Sequence, residues 1–227
     1  MSYQTLLFDL DDTLFDFKAA EKNAITILLE GSGVEPIEEN IQQYSKINQR
    51  FWNLHEKGKI ERNKLLSQRF EDFFGIHGQI VDGTEMDHRF RSHLEEGLFL
   101  IEGCVELLDE LKQSFELYTV TNGVSKTQYR RLTDSGLLPY FKNIFVSEDT
   151  GYQKPMPEYF HYVFNRIPAF SHSNALIIGD SLTSDITGGN RAGIDSCWFN
   201  PDRQENFLNI EPTYQIQRLS ELHKILG

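Results

Sequence analysis

Asp9, Asp11 and Thr13 lie in the run Leu6-Leu-Phe-Asp-Leu-Asp-Asp-Thr-Leu-Phe15, where an apolar segment gives way to alternating carboxylates. Like charges held close together at a strand end repel, and one is driven to take a proton unless a cation or a charged substrate compensates. A cap needs one carboxylate, not two flanking a buried strand end, so the cluster points to a metal-assisted active site. Three further segments carry groups of a matching kind. Thr121-Asn122-Gly123 places a hydroxyl and an amide on a tight turn, and Lys154 lies within Gly151-Tyr-Gln-Lys-Pro-Met-Pro157, held extended by the proline that follows it. Gly179-Asp180-Ser-Leu-Thr-Ser-Asp185 has two carboxylates straddling the start of a helix. Each has a plain alternative: a turn, a solvated lysine, an acid stabilised at a helix N-terminus. Together, in chain order and each after a strand, they read as one site.

The elements that must position these groups follow from periodicity. Thr5 to Leu10 is a short apolar run, the pattern of a buried strand. From Lys18 the period changes: Ala20, Ala24, Ile27 and Leu28 fall on one face of a helix that stops near Gly31. Helices are predicted over Glu38–Lys57, Glu61–Phe74 and Thr84–Glu96, with no convincing strand between Phe15 and Gly97. Beyond Gly97 the rhythm alternates. Helices are predicted over Cys104–Lys112, from Lys126 to Gly136, from Pro157, a good first helical residue, and over Ser184–Ala192. Strands are predicted over Phe115–Val120, Ile144–Val146, Ala175–Ile178 and Ser196–Phe199. Strands alternating with crossover helices imply a parallel sheet covered on both faces. The expected fold is α/β, a doubly wound parallel sheet with an all-helical domain inserted after the first strand. The catalytic core is expected to span 1–15 and 97–227, and the helical insertion 16–96. Ligands of such sheets bind beyond the carboxyl ends of the strands, where all four polar segments fall.

Composition narrows the partners. Lys and Arg total 22 against 34 Asp and Glu, a formal charge of −12 with no basic cluster, which excludes a phosphate-backbone polymer as an expected partner. A single nucleotide is not excluded, because a few local donors can hold one phosphate. The two cysteines, Cys104 and Cys197, sit far apart in apolar stretches and read as buried thiols in a reducing compartment. No signal peptide is visible, and no apolar run approaches the ~20 residues that span a bilayer. A cytoplasmic protein is expected, with no membrane partner. Oligomeric state is not readable.

The four segments resemble the four motifs of the haloacid dehalogenase-like superfamily of phosphotransferases, and the helical insertion is similar to the cap that some members carry between the first two motifs. Ser147-Glu-Asp-Thr-Gly-Tyr-Gln-Lys-Pro155, Ile178-Gly-Asp-Ser-Leu-Thr-Ser-Asp-Ile-Thr-Gly-Gly189 and Cys197-Trp-Phe-Asn-Pro201 most resemble the pyrimidine 5′-nucleotidase branch. The resemblance implies a Rossmann-like core, Mg²⁺ as cofactor, and hydrolysis of a small phosphate monoester through an aspartyl-phosphate. It implies Asp9 as nucleophile and Asp11 as general acid and base. It further implies that Thr121, Asn122 and Lys154 hold the phosphoryl group. The metal would be held by the Asp9 and Asp180 carboxylates and the Asp11 carbonyl, with Asp185 orienting a bound water. Counting Asp9, Asp180 and Asp185 against Mg²⁺ and Lys154, the charges cancel, so a dianionic substrate meets no net repulsion. Asp11 argues against carbon–halogen cleavage, whose leaving group needs no proton. A sugar-phosphate or phosphoglycolate-type phosphatase, a phosphomutase and a receiver-like signalling module are the competing readings. In the insertion and its linker, Phe15, Phe17 and Trp52 could stack a base, and Lys57, Lys59 and Arg62 could reach a sugar or phosphate.

Overall fold

Thr5–Phe8 forms the first strand, β1, with every residue buried. Leu6 and Phe8 join one apolar cluster and Leu7 another. Strand side chains alternate between faces, so β1 is covered on both sides, as a central strand must be. The computed structural model describes residues 3–227. The expected strand continues to Leu10, but the chain turns earlier. The Leu10 carbonyl accepts from the N–H groups of Thr13, Leu14 and Phe15, folding Asp11 and Asp12 into a tight turn. Asp12 takes a left-handed conformation there, with φ 56°, which a short polar side chain tolerates better than most.

The chain divides into two compact units, the residues up to Asp16 with Leu100–Gly227, and Phe17–Phe99. The second unit is helical: α1 (Phe17–Glu30), α2 (Glu38–Glu56), α3 (Arg62–Ile76) and α4 (Gly83–Glu96). Their apolar stripes meet in one cluster in which Tyr44 stacks on Phe70 at 5.2 Å and meets Phe73 edge-on. A buried polar chain crosses that interior. Ser45 and Asn48 donate to Glu21, Arg69 donates to Asn48 and Asp87, and Arg91 donates to the other Asp87 oxygen. Hydrophobic periodicity does not foretell this network.

In the first unit β1 is joined by β2 (Glu116–Thr121), β3 (Asn143–Val146), β4 (Ala175–Gly179), β5 (Asp195–Phe199) and β6 (Tyr214–Ile216). The order is β3-β2-β1-β4-β5-β6 with every pairing parallel. The helices are α5 (Cys104–Leu111), α6 (Ser125–Asp134), α7 (Ser147–Thr150), α8 (Pro157–Phe164), α9 (Thr187–Ala192) and α10 (His223–Leu226). The fold is the doubly wound α/β architecture. The short α7 and the edge strand β6 lack the apolar runs that mark the other elements. The chain leaves β1 for β2 and β3 on one side and returns to β4 on the other, which makes the carboxyl ends of β1 and β4 the switch point where such sheets bind ligands. No helix among the described residues is long and apolar enough to cross a membrane.

Candidate active site

Asp9 directly follows β1, and its N–H donates to the Ile178 carbonyl at 2.9 Å, so the sheet ladder itself sets its place. Thr121 ends β2, and Asp180 follows β4, its carbonyl held by the Trp198 indole N–H at 2.8 Å. Asp185 reaches the same point from a widened turn, Leu182–Ile186, in which the Ile186 N–H donates five residues back to the Ser181 carbonyl. Such π-type turns recur at functional sites. Gly179 is required here: a Cβ at that position would lie 2.2 Å from Asp185 Cγ. Asp9, Asp180 and Asp185 each place a carboxylate oxygen within 4.8 Å of the others.

Lys154 lies between them, 2% exposed. Its ammonium donates to Asp9 Oδ1 at 2.6 Å, Asp185 Oδ1 at 2.6 Å and the Val120 carbonyl at 2.7 Å. An ammonium has three donors, and all three are engaged within the protein. The expectation that Lys154 holds a phosphoryl oxygen is therefore refined. It donates to two buried carboxyl groups, and contact with a phosphate requires it to exchange one of these bonds. Asn122 also differs from expectation, because its side-chain amide accepts from the Lys154 N–H at 2.9 Å and donates to the Lys154 carbonyl at 3.0 Å. Its side chain fixes the lysine's backbone. Thr121 Oγ1 accepts from the Gly123 N–H at 3.1 Å and from Gln128 Nε2 at 2.9 Å.

Asp11 is met by Gln128 Nε2 at 2.7 Å and Arg131 Nη1 at 2.5 Å. Sequence reading does not single out either donor. The available signal was weak: Gln128, Arg131 and Leu132 share the buried stripe of α6, two polar residues where core-facing positions are usually apolar. Phe15 is fully buried beneath the Arg131 guanidinium, which sits 4.2 Å from its ring centre. It therefore has no face left to stack a base. Arg62 lies over the Trp52 ring at 5.9 Å.

The electrostatics of the cluster suit a cation. Burial raises the Asp9 carboxyl from 3.8 to about 8; Lys154 opposes this, and the Asp185 and Asp11 charges add to it. Asp180 is raised well above the ordinary carboxylate value by burial and then by Asp9, Asp185 and Asp12, against the pull of Lys154. Burial works against the Lys154 charge, but Asp185 and Asp9 outweigh it and raise its pKa. Carboxylate and carbonyl oxygens are the ligands hard divalent ions prefer, and one lysine does not balance three acids. The residues fit such an ion.

A pH dependence follows. Between the unfolded value of 3.8 and the folded value of about 8, the ion-free folded chain keeps a proton on Asp9 that the unfolded chain has released. Stability therefore falls as pH rises through that window. In EDTA, Tm is expected to drop between pH about 5 and about 8 more steeply for wild type than for Asp9→Asn, and Mg²⁺ is expected to restore most at the upper end, where fewer protons must be displaced. Equal slopes for the two proteins, with no response to Mg²⁺, would count against the cluster as an ion site.

A profile of the haloacid dehalogenase-like hydrolases matches residues 3–193. This chain belongs to that family. The hydrolase is 53% identical over 225 residues to the HAD-hydrolase YfnB of Bacillus subtilis, covering 99% of this chain and 96% of that protein. The YfnB crystal structure, bound to magnesium and described as revealing interdomain movement, matches with a TM-score of 0.95 over 100% of both chains at 52% identity. The hydrolase is 41% identical over 223 residues to the pyrimidine 5′-nucleotidase PynA of Streptococcus pneumoniae, covering 98% of this chain and 94% of PynA. It is 30% identical to the pyrimidine 5′-nucleotidase YjjG of Escherichia coli, covering 100% and 99% of the two chains. The chain is thus an enzyme of hydrolytic type. Its carboxylate cluster lies where a doubly wound hydrolase is expected to act, at the switch point of the sheet.

Proposed function

We propose that this hydrolase is a Mg²⁺-dependent phosphomonoesterase acting on nucleoside 5′-monophosphates, pyrimidine nucleotides first. The observation that carries the reading is the set of Asp9, Asp180 and Asp185 oxygens within 4.8 Å of one another around one buried lysine. The substrate class is supported by two relatives that match over nearly their whole length and are named pyrimidine 5′-nucleotidases.

In the proposed reaction Asp9 Oδ attacks phosphorus, the P–O bond to the sugar breaks, and Asp11 gives its proton to the departing alkoxide. Water then attacks the aspartyl-phosphate, Asp11 takes a proton from it, and inorganic phosphate leaves with Asp9 regenerated. Dividing one displacement into two lowers each barrier, and proton transfer by a placed carboxyl is typically worth roughly 10²–10⁴-fold. Thr121 and the backbone of its turn, with Lys154, orient the phosphoryl oxygens, and Asn122 holds the lysine's backbone in place. Mg²⁺, held by the Asp9 and Asp180 carboxylates and the Asp11 carbonyl with Asp185 beside it, supplies positive charge that keeps Asp9 ionised and offsets the phosphate dianion. We assign selection of the base to the helical unit, proposed as the cap.

A panel of deoxyuridine and thymidine monophosphates, sugar phosphates, phosphoglycolate and pyridoxal phosphate, assayed for phosphate release with and without EDTA, tests this. The pyrimidine monophosphates are expected to be hydrolysed fastest, with activity lost in EDTA and restored by Mg²⁺. Inert pyrimidine nucleotides beside a rapidly hydrolysed sugar phosphate would refute the nucleotidase assignment and leave the phosphatase.

A further inference from the structure

Asp11 is clamped from one helix. Gln128 and Arg131 are one turn apart on α6, on the same face, and each donates to a different Asp11 oxygen: Nε2 to Oδ2 and Nη1 to Oδ1. The two donors are themselves linked, Arg131 Nη1 to Gln128 Oε1 at 3.1 Å. The Gln128 amide also reaches Thr121 Oγ1, so it ties the acid to the turn proposed to hold the phosphoryl group.

Arg131 is not explained as part of the core. It is fully buried, and among the described residues Asp11 is its one ion-pair partner. Its Nε and Nη2 are buried with no hydrogen-bond partner. A guanidinium held this way carries a desolvation cost with part of its donor fork unmet, and the one charged contact it makes is what offsets that cost. Gly123 belongs to the same device. A Cβ there would sit 2.5 Å from Gln128 Nε2 and 2.9 Å from its Cγ, so the glycine leaves the path by which Gln128 crosses the turn.

We propose that Gln128 and Arg131 are positioning residues for Asp11, fixing the rotation of its carboxyl group so that one oxygen faces the bond being broken. Each carboxyl oxygen has two lone-pair sites. The clamp uses one on each, and the second remains to carry the proton in either direction. The inference rests on the proposed role of Asp11 as acid and base.

The test is the ratio of kcat/KM for thymidine 5′-monophosphate to that for p-nitrophenyl phosphate. The first leaves as an alkoxide that needs a proton; the second leaves as a stabilised phenolate that does not. Because kcat/KM reports only through formation of the phosphoenzyme, and losses in phosphate binding are common to both substrates, the ratio isolates proton delivery. Asp11→Asn is expected to lower it by roughly 10²–10⁴-fold. Gln128→Leu and Arg131→Met are expected to lower it by about 10- to 100-fold, the scale of a small misplacement of a catalytic group, and to add nothing in an Asp11→Asn background. Should Arg131→Met not fold, Gln128→Leu and Gly123→Ala decide the matter, since both leave the guanidinium–Asp11 pair in place. A ratio in the clamp variants equal to or above wild type, while Asp11→Asn lowers it, overturns the clamp and leaves the acid standing. A wild-type ratio in Asp11→Asn overturns both; a wild-type enzyme that hydrolyses neither probe overturns the clamp together with the nucleotidase reading, and the phosphatase reading falls too only if every sugar phosphate of the panel is also inert.

Discussion

Asp9→Asn is expected to abolish turnover while the protein stays folded. A neutral amide oxygen cannot form the acyl phosphate, and removal of a covalent nucleophile costs on the order of 10⁶-fold in kcat. Stability moves the other way. Asp9 lies among like charges that, with burial, raise its carboxyl to about 8, so an uncharged side chain there relieves repulsion when no ion is bound. The amide oxygen can still accept the Lys154 hydrogen bond that Asp9 Oδ1 now receives. The variant should therefore show a Tm in EDTA at or above that of wild type at neutral pH, with no phosphate release and no acid-stable phosphoenzyme from labelled substrate. Wild-type phosphate release by the purified, folded variant would refute Asp9 as nucleophile.

Lys154→Met is expected to lower both activity and stability, the combination that sets it apart from Asp9→Asn. The lysine is buried, so solvent screens its interactions little, and it is the cation shared by Asp9 and Asp185 at 2.6 Å each. Methionine fills a similar volume but leaves buried Asp185 without its counter-charge and Asp9 without a hydrogen-bond donor. Breaking a buried pair by removing one partner costs about 3–5 kcal/mol. For a chain of this size that lowers Tm by roughly 6–20 °C, less where one carboxylate takes up a proton. Mg²⁺ should recover part of the lost stability, since it brings charge to the same oxygens, but not the lost turnover. Thermal unfolding with and without Mg²⁺, alongside phosphate release, checks both halves. An unchanged Tm in EDTA would show that the three hydrogen bonds of the ammonium contribute little to the fold.

Much of the site was legible because its parts are local. Asp9 and Asp180 each follow a short, fully buried and mostly apolar strand, and Thr121 ends a strand buried from Leu117 onward. In a parallel sheet the carboxyl ends of all strands lie along one edge, so the continuously buried runs that mark these strands already place the groups on that edge. The helical unit was legible for a similar reason, since its apolar residues recur with the helical period from Ala20 through Leu94. What strand ends could not tell is where a long side chain goes next. Lys154 was expected to reach for phosphate; in the folded chain its three donors are met by Asp9, Asp185 and Val120. Asn122 was expected at the phosphate and instead binds the lysine's backbone.

Sequence by itself determined strands β1 to β5, the helical insertion and the acidic residues that close β1 and β4, because each depends on residue type and on spacing within a few positions, whereas the edge strand β6 has no apolar run to announce it. Tertiary structure alone decided the partners of Asp11. Gln128 and Arg131 are more than a hundred positions away from it, on a helix whose polar residues look solvated until packing buries these two and lays Arg131 over Phe15. A side chain's partner at that distance is set by how whole elements dock, and no local period records it.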